Sequence, residues 1–472
     1  MDKLYTAHRE LLLKYFGEIS AIPRESGNES AIADYLVKFA DERGLWSHRD
    51  TTHNVLIKKD GNISGEPLLL QAHSDMVCEK NEGTMFDFAR DGLKLVEVDG
   101  WLTAEGTTLG ADNGSGMAMM LAILGSDDVK HPPLECLFTA QEEVGLVGVE
   151  KFDFSHIAAR RMINLDSSSE NIATIGCAGG AGVAFERKID RVPHANQNLR
   201  VQVRGLFGGH SGSDIHHGRG NAIKILAQIL SALYALEEFN LVSLSGGGKN
   251  NAIPRESQAV ISVLNREEAT ARLLEIEQQV RSSLISEDAD FRILVSRCGA
   301  TEKMATYRDT RLILSQIQLT PNGVLAKWKH GVQASSNLGV AEMDGDKLRL
   351  SAYLRSHNKS VLDATISAMG QLCKLTEFEL IQGMSYPHWE EVDGSMLAAR
   401  FMQQAEQIFG STPVTQVYHA GLECGVIISK LGGACDAISI GPETEHLHTP
   451  DERMNLESFA KTYELVLRMI GK

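Results

Sequence analysis

The sequence has no run of about 18 apolar residues without a charge, which is the length that a membrane-spanning helix needs. Residues 1–5 do not open a basic stretch followed by an apolar core and a small-residue cleavage site, the pattern of a secretory signal. Positive charge is in the minority, because 46 Lys and Arg stand against 62 Asp and Glu, a formal charge of −16. This balance disfavours nucleic acid or an anionic membrane as a partner. We therefore expect a cytoplasmic protein that binds neither nucleic acid nor membranes.

Paired cysteines and low-complexity tracts are also missing. The seven cysteines are odd in number and scattered along the chain, which indicates reduced thiols rather than a disulfide framework. What the chain does have is length, since 472 residues with 43% hydrophobic content suffice for two or three domains, each with its own core.

The first part of the chain alternates predicted strands with helices. An apolar pattern at Ile32, Leu36 and Phe39 predicts a helix that ends at Gly44, with Asn28 or Ser30 as its N-cap. Short apolar runs predict buried strands at 55–57, 67–71, 134–139 and 162–165. Because these runs are mostly apolar and do not alternate with polar residues, we expect a sheet that is covered by helices on both faces.

Carboxylate and imidazole side chains come directly after these predicted strands. They are His73, the pair Glu142 and Glu143, Asp166 and, beyond a last predicted strand at 437–440, His448. The carboxyl ends of the strands are the edge at which ligands bind in open α/β sheets. The sequence therefore predicts that these side chains lie together in a site.

With Asp112 added, the set matches the needs of a two-metal hydrolase. Two zinc-type ions roughly 3.5 to 4 Å apart require one shared carboxylate and two further protein ligands each. Asp112 can bridge the ions, and the remaining ligands form two pairs, His73 with Asp166 and Glu143 with His448. Asp75 and Glu142 are then left for orienting a ligand and for proton transfer.

Each of these motifs also has a simpler structural interpretation. Asp112 lies in a glycine-rich segment before an apolar run, which is typical of a turn with Asp as the N-cap of a helix. The two interpretations are compatible, because a bridging carboxylate benefits from a helix N-terminus. Glu142 and Glu143 would alternatively start a solvated helix. Two adjacent carboxylates after a buried strand repel each other unless a cation or a shared proton offsets the charge, so one should bind metal and the other take a proton.

The pattern changes near residues 176–180. From residue 198 the chain alternates strands and helices in the manner of a split β-α-β unit, and residues 347–375 are a candidate partial repeat. Because His448 lies beyond this segment, we predict an inserted domain at 186–385 and a discontinuous first domain at 1–185 and 386–472. The predicted fold class is α/β, with a mixed sheet flanked by helices and an inserted α+β domain.

Longer strings carry a resemblance to a known family. In chain order they are QAHSDMVCEK, TTLGADNGSG, TAQEEVGLVG, NLDSSSE, GGHSGSDIHHGRGNAI, NAIPRE, HAGLECG and HTPDE. The set resembles the aminoacylase, carboxypeptidase and dipeptidase family of co-catalytic zinc exopeptidases, and within it the bacterial aminoacyl-histidine dipeptidases. The resemblance runs along nearly the whole chain. It implies a zinc exopeptidase-like catalytic domain with an inserted lid domain, through which a homodimer can form.

The resemblance also implies roles for the residues named above. The metal ligands would be His73, Asp112, Glu143, Asp166 and His448, with Asp112 bridging. The cofactors would be two divalent metal ions per chain, Zn²⁺ first, with Co²⁺ or Mn²⁺ as alternatives. Asp75 would orient the imidazole of His73, and Glu142 would be the general base that activates a metal-bridged water.

Further residues are implied in the substrate site. His210 would donate a hydrogen bond to the oxyanion, from the same chain or from a partner subunit, although its Gly-Gly-His-Ser-Gly segment alone is typical of a tight turn. Arg355, helped by Asn251, would bind the substrate carboxylate, because its fork pairs with two oxygens; the alternative is an arginine that pairs with a surface glutamate. Glu423 would receive the substrate ammonium.

The implied activity is metal-dependent hydrolysis of the peptide bond of unblocked dipeptides, notably Xaa-His, including dipeptides of the β-alanyl-histidine type. An N-acyl amino acid deacylase of the same family is the alternative, which would need no partner for an ammonium group. A catalytically inactive binding protein on the same fold is a third hypothesis. The completeness of the ligand set and the presence of a candidate base argue against it.

Overall fold

The structure is a computed structural model that describes residues 3–193 and 197–471. The first two residues of the N-terminal segment considered above lie outside this range. Contacts between Cα atoms divide the chain into two compact units. The first unit is Met1–Cys177, Trp389–Tyr418 and Leu422–Lys472, and the second unit is Ala178–His388 with His419–Gly421.

The first unit begins with four helices and eight strands. They are α1 (Lys3–Ser20), α2 (Ser30–Asp41), β1 (Trp46–Arg49), β2 (Val55–Lys59), β3 (Leu68–His73), β4 (Leu95–Val98), β5 (Trp101–Ala104), α3 (Ala111–Leu124), β6 (Leu134–Thr139), α4 (Val147–Lys151), β7 (Arg161–Asn164) and β8 (Ile172–Cys177).

The second unit follows without interruption. Its elements are β9 (Gly179–Lys188), β10 (Arg191–Pro193), β11 (Asn198–Arg204), β12 (Gly209–His210), α5 (Ala222–Leu236), β13 (Asn240–Gly247), β14 (Ala252–Ile253), β15 (Ser257–Ser262), α6 (Arg266–Arg281), β16 (Arg292–Arg297), β17 (Lys303–Ala305), α7 (Tyr307–Leu319), β18 (Gly323–Trp328), β19 (Gly331–Asp344), β20 (Lys347–Ser356), α8 (Lys359–Thr376) and β21 (Glu379–Tyr386).

The chain then completes the first unit. The remaining elements are α9 (Met396–Phe409), β22 (Val414–Tyr418), α10 (Glu423–Lys430), β23 (Asp436–Ser439), β24 (Thr444–Glu445), β25 (Arg453–Asn455) and α11 (Leu456–Ile470).

An eight-stranded sheet forms the centre of the first unit. Its order is β1-β2-β6-β3-β7-β23-β8-β22, and β3 is parallel to both β6 and β7. Every residue of β3 and of β6 is buried, which requires cover on both faces because side chains of a strand alternate between them. Helices α3 and α9 contact strands of this sheet. The predicted mixed sheet flanked by helices is therefore confirmed.

The predicted strands and helix of the first unit lie close to the observed elements, but the predicted cap of α2 is wrong. Glu29 occupies the N-cap position and makes no capping hydrogen bond there. Its carboxylate instead accepts hydrogen bonds from the backbone N–H groups of Gly27 and Gln141, at 2.8 and 3.1 Å. The side chain of Glu29 thus binds a segment more than 100 residues away and does not cap α2.

A nine-stranded sheet forms the second unit. Its main path is β16-β11-β15-β13-β19-β20-β9-β21, and β18 pairs with β19. The strands and helices predicted from residue 198 and within 347–375 are present, but the strands belong to one continuous sheet rather than to a unit and a partial repeat. The predicted boundary at 185/186 falls inside β9, whose pairing with β20 and β21 places that strand in the second unit.

Across residues 3–193 and 197–471, the helices do not combine the length and the apolar character that crossing a membrane requires.

Candidate active site

The candidate site lies at one edge of the eight-stranded sheet. His73 is the last residue of β3 and pairs in register with Thr139, the last residue of β6. Asn164, the last residue of β7, pairs with Gln71 of β3 and with Ser439 of β23. Four neighbouring parallel strands therefore end together, and the segments that follow them carry the predicted ligands to a common place.

Asp112 reaches the same place from the start of α3. The N-cap of α3 is Gly110, with φ 65° and no capping side chain, so the interpretation of Asp112 as an N-cap is wrong. The backbone of Asp112 and Asn113 is not helical, and the peptide bond between them is cis. A Cβ on Gly116 would lie 2.9 Å from the Cβ of Ala72, so glycine allows α3 to approach β3 closely.

The other four predicted ligands lie around the carboxylate of Asp112. One of its oxygens lies 2.8 Å from Nε2 of His73, and the other lies 3.1 Å from Nε2 of His448. The same nitrogen of His73 is 3.5 Å from Asp166, and that of His448 is 3.0 Å from Glu143. The arrangement thus has two halves that share one carboxylate, as the sequence predicted.

This donor set fits a pair of divalent cations. Ligand atoms of His73, Asp112 and Glu143 all lie within 4.8 Å of one another. Imidazole nitrogen and carboxylate oxygen are the ligands that Zn²⁺ and neighbouring transition metals accept. Several carboxylates crowded into a largely buried site also need positive charge to offset their repulsion.

The pKa values of the two imidazoles show the strength of this acidic field. Hydrogen bonds to Asp112 and Glu143 raise the pKa of His448 to about 11. Burial acts to lower the pKa of His73, but the charge of Asp166 and hydrogen bonds to the surrounding carboxylates outweigh it and raise that pKa well above its usual value. Protons and metal ions therefore compete for the same nitrogens, and metal binding should strengthen as the pH rises.

Asp75 makes contacts with two parts of the site. Its backbone carbonyl lies 3.1 Å and its carboxylate 3.4 Å from Nδ1 of His73, on the side of the ring away from Asp112. The carboxylate also accepts hydrogen bonds from the backbone N–H groups of Glu142 and Glu143, at 3.0 and 3.2 Å. Asp75 therefore supports one predicted ligand, His73, and the segment that carries another, Glu143.

Glu142 lies in surroundings that keep its carboxyl group ready to hold a proton. Burial is the largest influence and raises its pKa well above the usual value, and the charges of Asp166 and Glu143 act in the same direction. His73 acts against them. A carboxyl group with a raised pKa holds a proton more readily, which suits a general acid–base residue.

Glu423 occupies a different position from the one predicted. It is fully buried at the start of α10, and its Oε2 accepts hydrogen bonds from Gln71 and Thr139 at 2.5 and 2.6 Å. Burial raises the pKa of its carboxyl group to about 8. The predicted contact between Glu423 and a substrate ammonium is therefore wrong. Its carboxylate oxygens are buried, and its raised pKa favours the neutral carboxyl group.

His210 lies in the second unit, where backbone groups hold its ring. Its Nδ1 accepts hydrogen bonds from the N–H groups of Gly212 and Ser213, at 3.3 and 3.2 Å. Accepting them requires the lone pair on Nδ1, which places the proton of a neutral ring on Nε2. The Gly-Gly-His-Ser-Gly segment thus holds the ring of His210 so that its Nε2–H can act as a hydrogen-bond donor.

Arg355 and Asn251 lie in the same unit as His210. Arg355 is 5% exposed, and its Nη1 donates to the hydroxyl of Tyr386 at 2.9 Å. Its Nε is buried and has no hydrogen-bond partner among the described residues. The alternative interpretation, an arginine that pairs with a surface glutamate, is therefore wrong for this residue. Asn251 is exposed, and its carbonyl accepts from the N–H of Ser211, next to His210.

A family model covers the segments that form this site. The model for peptidase family M20/M25/M40 matches residues 69–472, which include His73, Asp112, Glu143, Asp166 and His448. The chain belongs to peptidase family M20/M25/M40. The resemblance that the sequence motifs carry is thereby confirmed.

Several known proteins resemble this member of the M20/M25/M40 family over nearly its whole length. The cytosol non-specific dipeptidase of Escherichia coli is 35% identical over 483 residues, which cover 100% of this chain and 99% of that protein. The crystal structure of aminoacylhistidine dipeptidase from Vibrio alginolyticus has a TM-score of 0.86 and 32% identity, covering 98% of this chain and 96% of that one. A tripeptidase from Staphylococcus aureus, with a TM-score of 0.58 and 18% identity over 98% and 97% of the two chains, shares the fold.

Three buried charged residues near the candidate site of this M20/M25/M40 member were not predicted from the sequence. Arg24, Glu29 and Glu452 are each 0 to 2% exposed and hold backbone groups of the ligand-bearing segments. Glu452 lies in the His-Thr-Pro-Asp-Glu string that also supplies His448, which is the one sequence signal that was available. The contacts that tie Arg24 to Gly110 and Glu29 to Gln141 are distant in sequence, so no local pattern indicates them.

Replacing His448 by Ala should remove one metal position, because its Nε2 faces both Asp112 and Glu143. Metal content measured by mass spectrometry after purification with zinc should fall from about two ions per chain towards one. His446→Ala is the matched control, since the two residues have similar left-handed backbones, with φ 62° and 56°. A His448→Ala variant that keeps both ions would contradict this ligand assignment.

Proposed function

We propose that this chain is a metal-dependent dipeptidase that hydrolyses the peptide bond of unblocked dipeptides, Xaa-His dipeptides among them. The observation that carries the proposal is the carboxylate of Asp112, which contacts two imidazoles that each have a second carboxylate at 3.0 to 3.5 Å. The names of the two relatives that match over almost the whole chain support the substrate class.

We propose that two divalent ions, Zn²⁺ first, are held by His73 and Asp166 on one side and by Glu143 and His448 on the other, with Asp112 shared. Co²⁺ or Mn²⁺ are alternatives, because the same ligands accept them. When bound, such ions would polarise the scissile carbonyl and bring the pKa of a water molecule close to neutrality.

Glu142 is the proposed general base and acid. It follows β6 beside Glu143, and the N–H groups of both residues are held by the carboxylate of Asp75. Its raised pKa suits a group that takes a proton from the attacking water and then gives it to the leaving amine. Cations nearby would lower that pKa towards the working range.

His210 is the proposed donor to the oxyanion of the tetrahedral intermediate. Its Nδ1 is committed to two backbone N–H groups, so Nε2 carries the proton and can donate it without a change of tautomer. A donor that is already oriented loses little freedom when charge develops on the carbonyl oxygen. The proposal covers His210 of the same chain and His210 of a partner copy.

Arg355 is the proposed site for the free carboxylate of the substrate, with Asn251 as a second polar contact. Its Nε is a buried donor that finds no partner within the described part of the chain, and a planar guanidinium can present two N–H groups to a carboxylate. The hydroxyl of Tyr386 holds the other arm of the guanidinium at 2.9 Å. Glu423 has no role in this proposal, because its carboxyl group is buried.

Two further proposals concern location and assembly. The name of the Escherichia coli relative supports a cytoplasmic location for this chain. A homodimer formed through the second unit is supported by the outer strands of its nine-stranded sheet, β16 and β21, since strand edges offer unpaired backbone groups to a second copy.

The deciding experiment is hydrolysis of a panel consisting of Gly-His, β-Ala-His, Ala-Ala, a tripeptide and an N-acetyl amino acid, with zinc and after chelation. We expect metal-dependent cleavage of the unblocked dipeptides alone. Cleavage of only the acetylated compound would transfer the assignment to a deacylase. Cleavage of none would favour a binding protein on the same fold.

Glu142→Gln should reduce kcat by roughly 10²- to 10⁴-fold, because the amide has the size of the carboxyl group but cannot take a proton. Metal content should stay at the wild-type value, since Glu142 is not among the proposed ligands. The measurement is kcat for Gly-His beside metal analysis of the same sample. Activity above a few per cent of wild type would remove Glu142 from its proposed role.

Arg355→Lys should raise KM for unblocked dipeptides by about 10-fold or more, because an ammonium cannot pair with two carboxylate oxygens. A sharper readout is the kcat/KM for a dipeptide divided by that for its C-terminal amide. This ratio measures the preference for a free carboxylate, and it should be smaller in the variant than in the wild type. Arg349→Lys is the matched control, as this exposed arginine lies on the same strand and pairs with Glu186. An unchanged preference would refute the carboxylate contact.

A further inference from the structure

The carboxylate of Glu452 holds the segment that leads into Asp112. One oxygen accepts hydrogen bonds from the N–H groups of Leu109 and Gly110, at 2.8 and 3.0 Å. The other accepts from Ala111 and Asp112, at 2.9 and 3.4 Å. Glu452 is 2% exposed, so these four consecutive N–H groups satisfy a carboxylate that water does not reach.

The backbone of Glu452 is fixed at the same time. Its carbonyl accepts from the hydroxyl of Thr103 in β5 at 2.9 Å, and the next three residues form β25, which pairs with β5. Its N–H donates to the carbonyl of Thr449 at 3.0 Å, which closes the turn that begins just after His448. One residue therefore links the segment of Asp112 to the segment of His448.

Arg24 holds the same segment from another direction. It is 2% exposed, and its Nη2 donates to the carbonyl of Gly110 at 2.6 Å. Its Nη1 donates to the carbonyls of Asp75 and Ser74, at 2.9 and 3.3 Å. The carbonyl of Asp75 also lies 3.1 Å from Nδ1 of His73. Arg24 therefore links the segment of Asp112 to the segment of His73.

Gly110 is where the two contacts meet. Its N–H is bound by Glu452 and its carbonyl by Arg24. Its φ of 65° suits glycine, and a Cβ at this position would lie 2.5 Å from Nη2 of Arg24. Burying two opposite charges is costly unless they are hydrogen-bonded, and here both charges bind the peptide segment around Gly110, which accepts from Nη2 of Arg24 and donates to both oxygens of Glu452.

We propose that Glu452 and Arg24 are positioning residues that set the place of Asp112 relative to His448 and to His73, and thereby the spacing of the two metal positions. Neither residue touches a ligand side chain through its own charged group; each acts through the backbone. The inference rests on the proposed two-metal function, and it adds the groups that hold the shared carboxylate between the two imidazoles.

Glu452→Gln tests the inference, with Glu135→Gln as its matched control. Glutamine keeps the shape of the side chain but turns an NH₂ group towards N–H donors. Glu135 is a comparable buried carboxylate of the same unit, 4% exposed, which accepts from the N–H groups of Ala158 and Ala159 and from Lys58. Its partners belong to segments that carry none of the proposed ligands.

Competition with a chromophoric chelator gives the affinity for Zn²⁺, and the absorption spectrum of the Co²⁺-loaded protein reports the coordination geometry. In Glu452→Gln we expect at least one affinity to fall by about 10- to 100-fold, a changed Co²⁺ spectrum and a lower kcat with little change in KM. Glu135→Gln should lose thermal stability to a similar extent while keeping the metal affinities and the spectrum of the wild type.

The inference is overturned if Glu452→Gln loses stability as Glu135→Gln does but keeps both affinities and the wild-type spectrum. If Glu452→Gln does not fold, Arg24→Lys takes its place, since lysine keeps the charge but cannot reach three carbonyls with a rigid fork. Its control is Arg187→Lys, at a buried arginine paired with Asp309 in the second unit. Unchanged metal affinity in Arg24→Lys would likewise overturn the inference. A wild-type chain that binds no divalent ion would overturn the proposed function itself.

Discussion

The candidate active site of the first unit is built around the carboxylate of Asp112. Its two oxygens face two different imidazoles, at 2.8 and 3.1 Å. Burial alone would favour a neutral carboxyl group, yet hydrogen bonds to His448 and His73 outweigh it and hold the pKa of Asp112 far below its usual range. An ionised carboxylate shared by two halves of a site is where two cations would be held under the proposed function, and the other proposed ligands are arranged around it.

Much of the first unit follows from patterns that are local in the sequence. Strand β6 was predicted at its observed limits, and Asp166 and the pair Glu142 and Glu143 lie just beyond strand ends as expected, whereas His73 is the last residue of β3. Strands of a parallel sheet end at one edge, so local patterns were enough to predict that these residues meet. The proposed ligands therefore needed no knowledge of long-range contacts.

Features that depend on distant partners could not be predicted in this way. Glu29 accepts a hydrogen bond from the distant Gln141 and does not cap α2. The carboxylate of Glu423 accepts hydrogen bonds from Gln71 and Thr139 and is not exposed to a substrate. The sheet of the second unit is continuous because β13 and β19 pair with each other, and neither strand was predicted. A buried polar group takes the partners that the folded chain brings to it, and composition does not reveal them.

Strand β23 has a consequence for how the chain matures. It lies between β7 and β8 in the eight-stranded sheet, although more than 250 residues separate it from either strand. While the ribosome is still adding the last segment, β7 and β8 each lack a neighbour, and His448 and Glu452 have not been made. Nascent chains and products terminated before this segment thus have an open sheet and an incomplete set of proposed ligands, so peptide hydrolysis by this protein begins only after β23, His448 and Glu452 have been made.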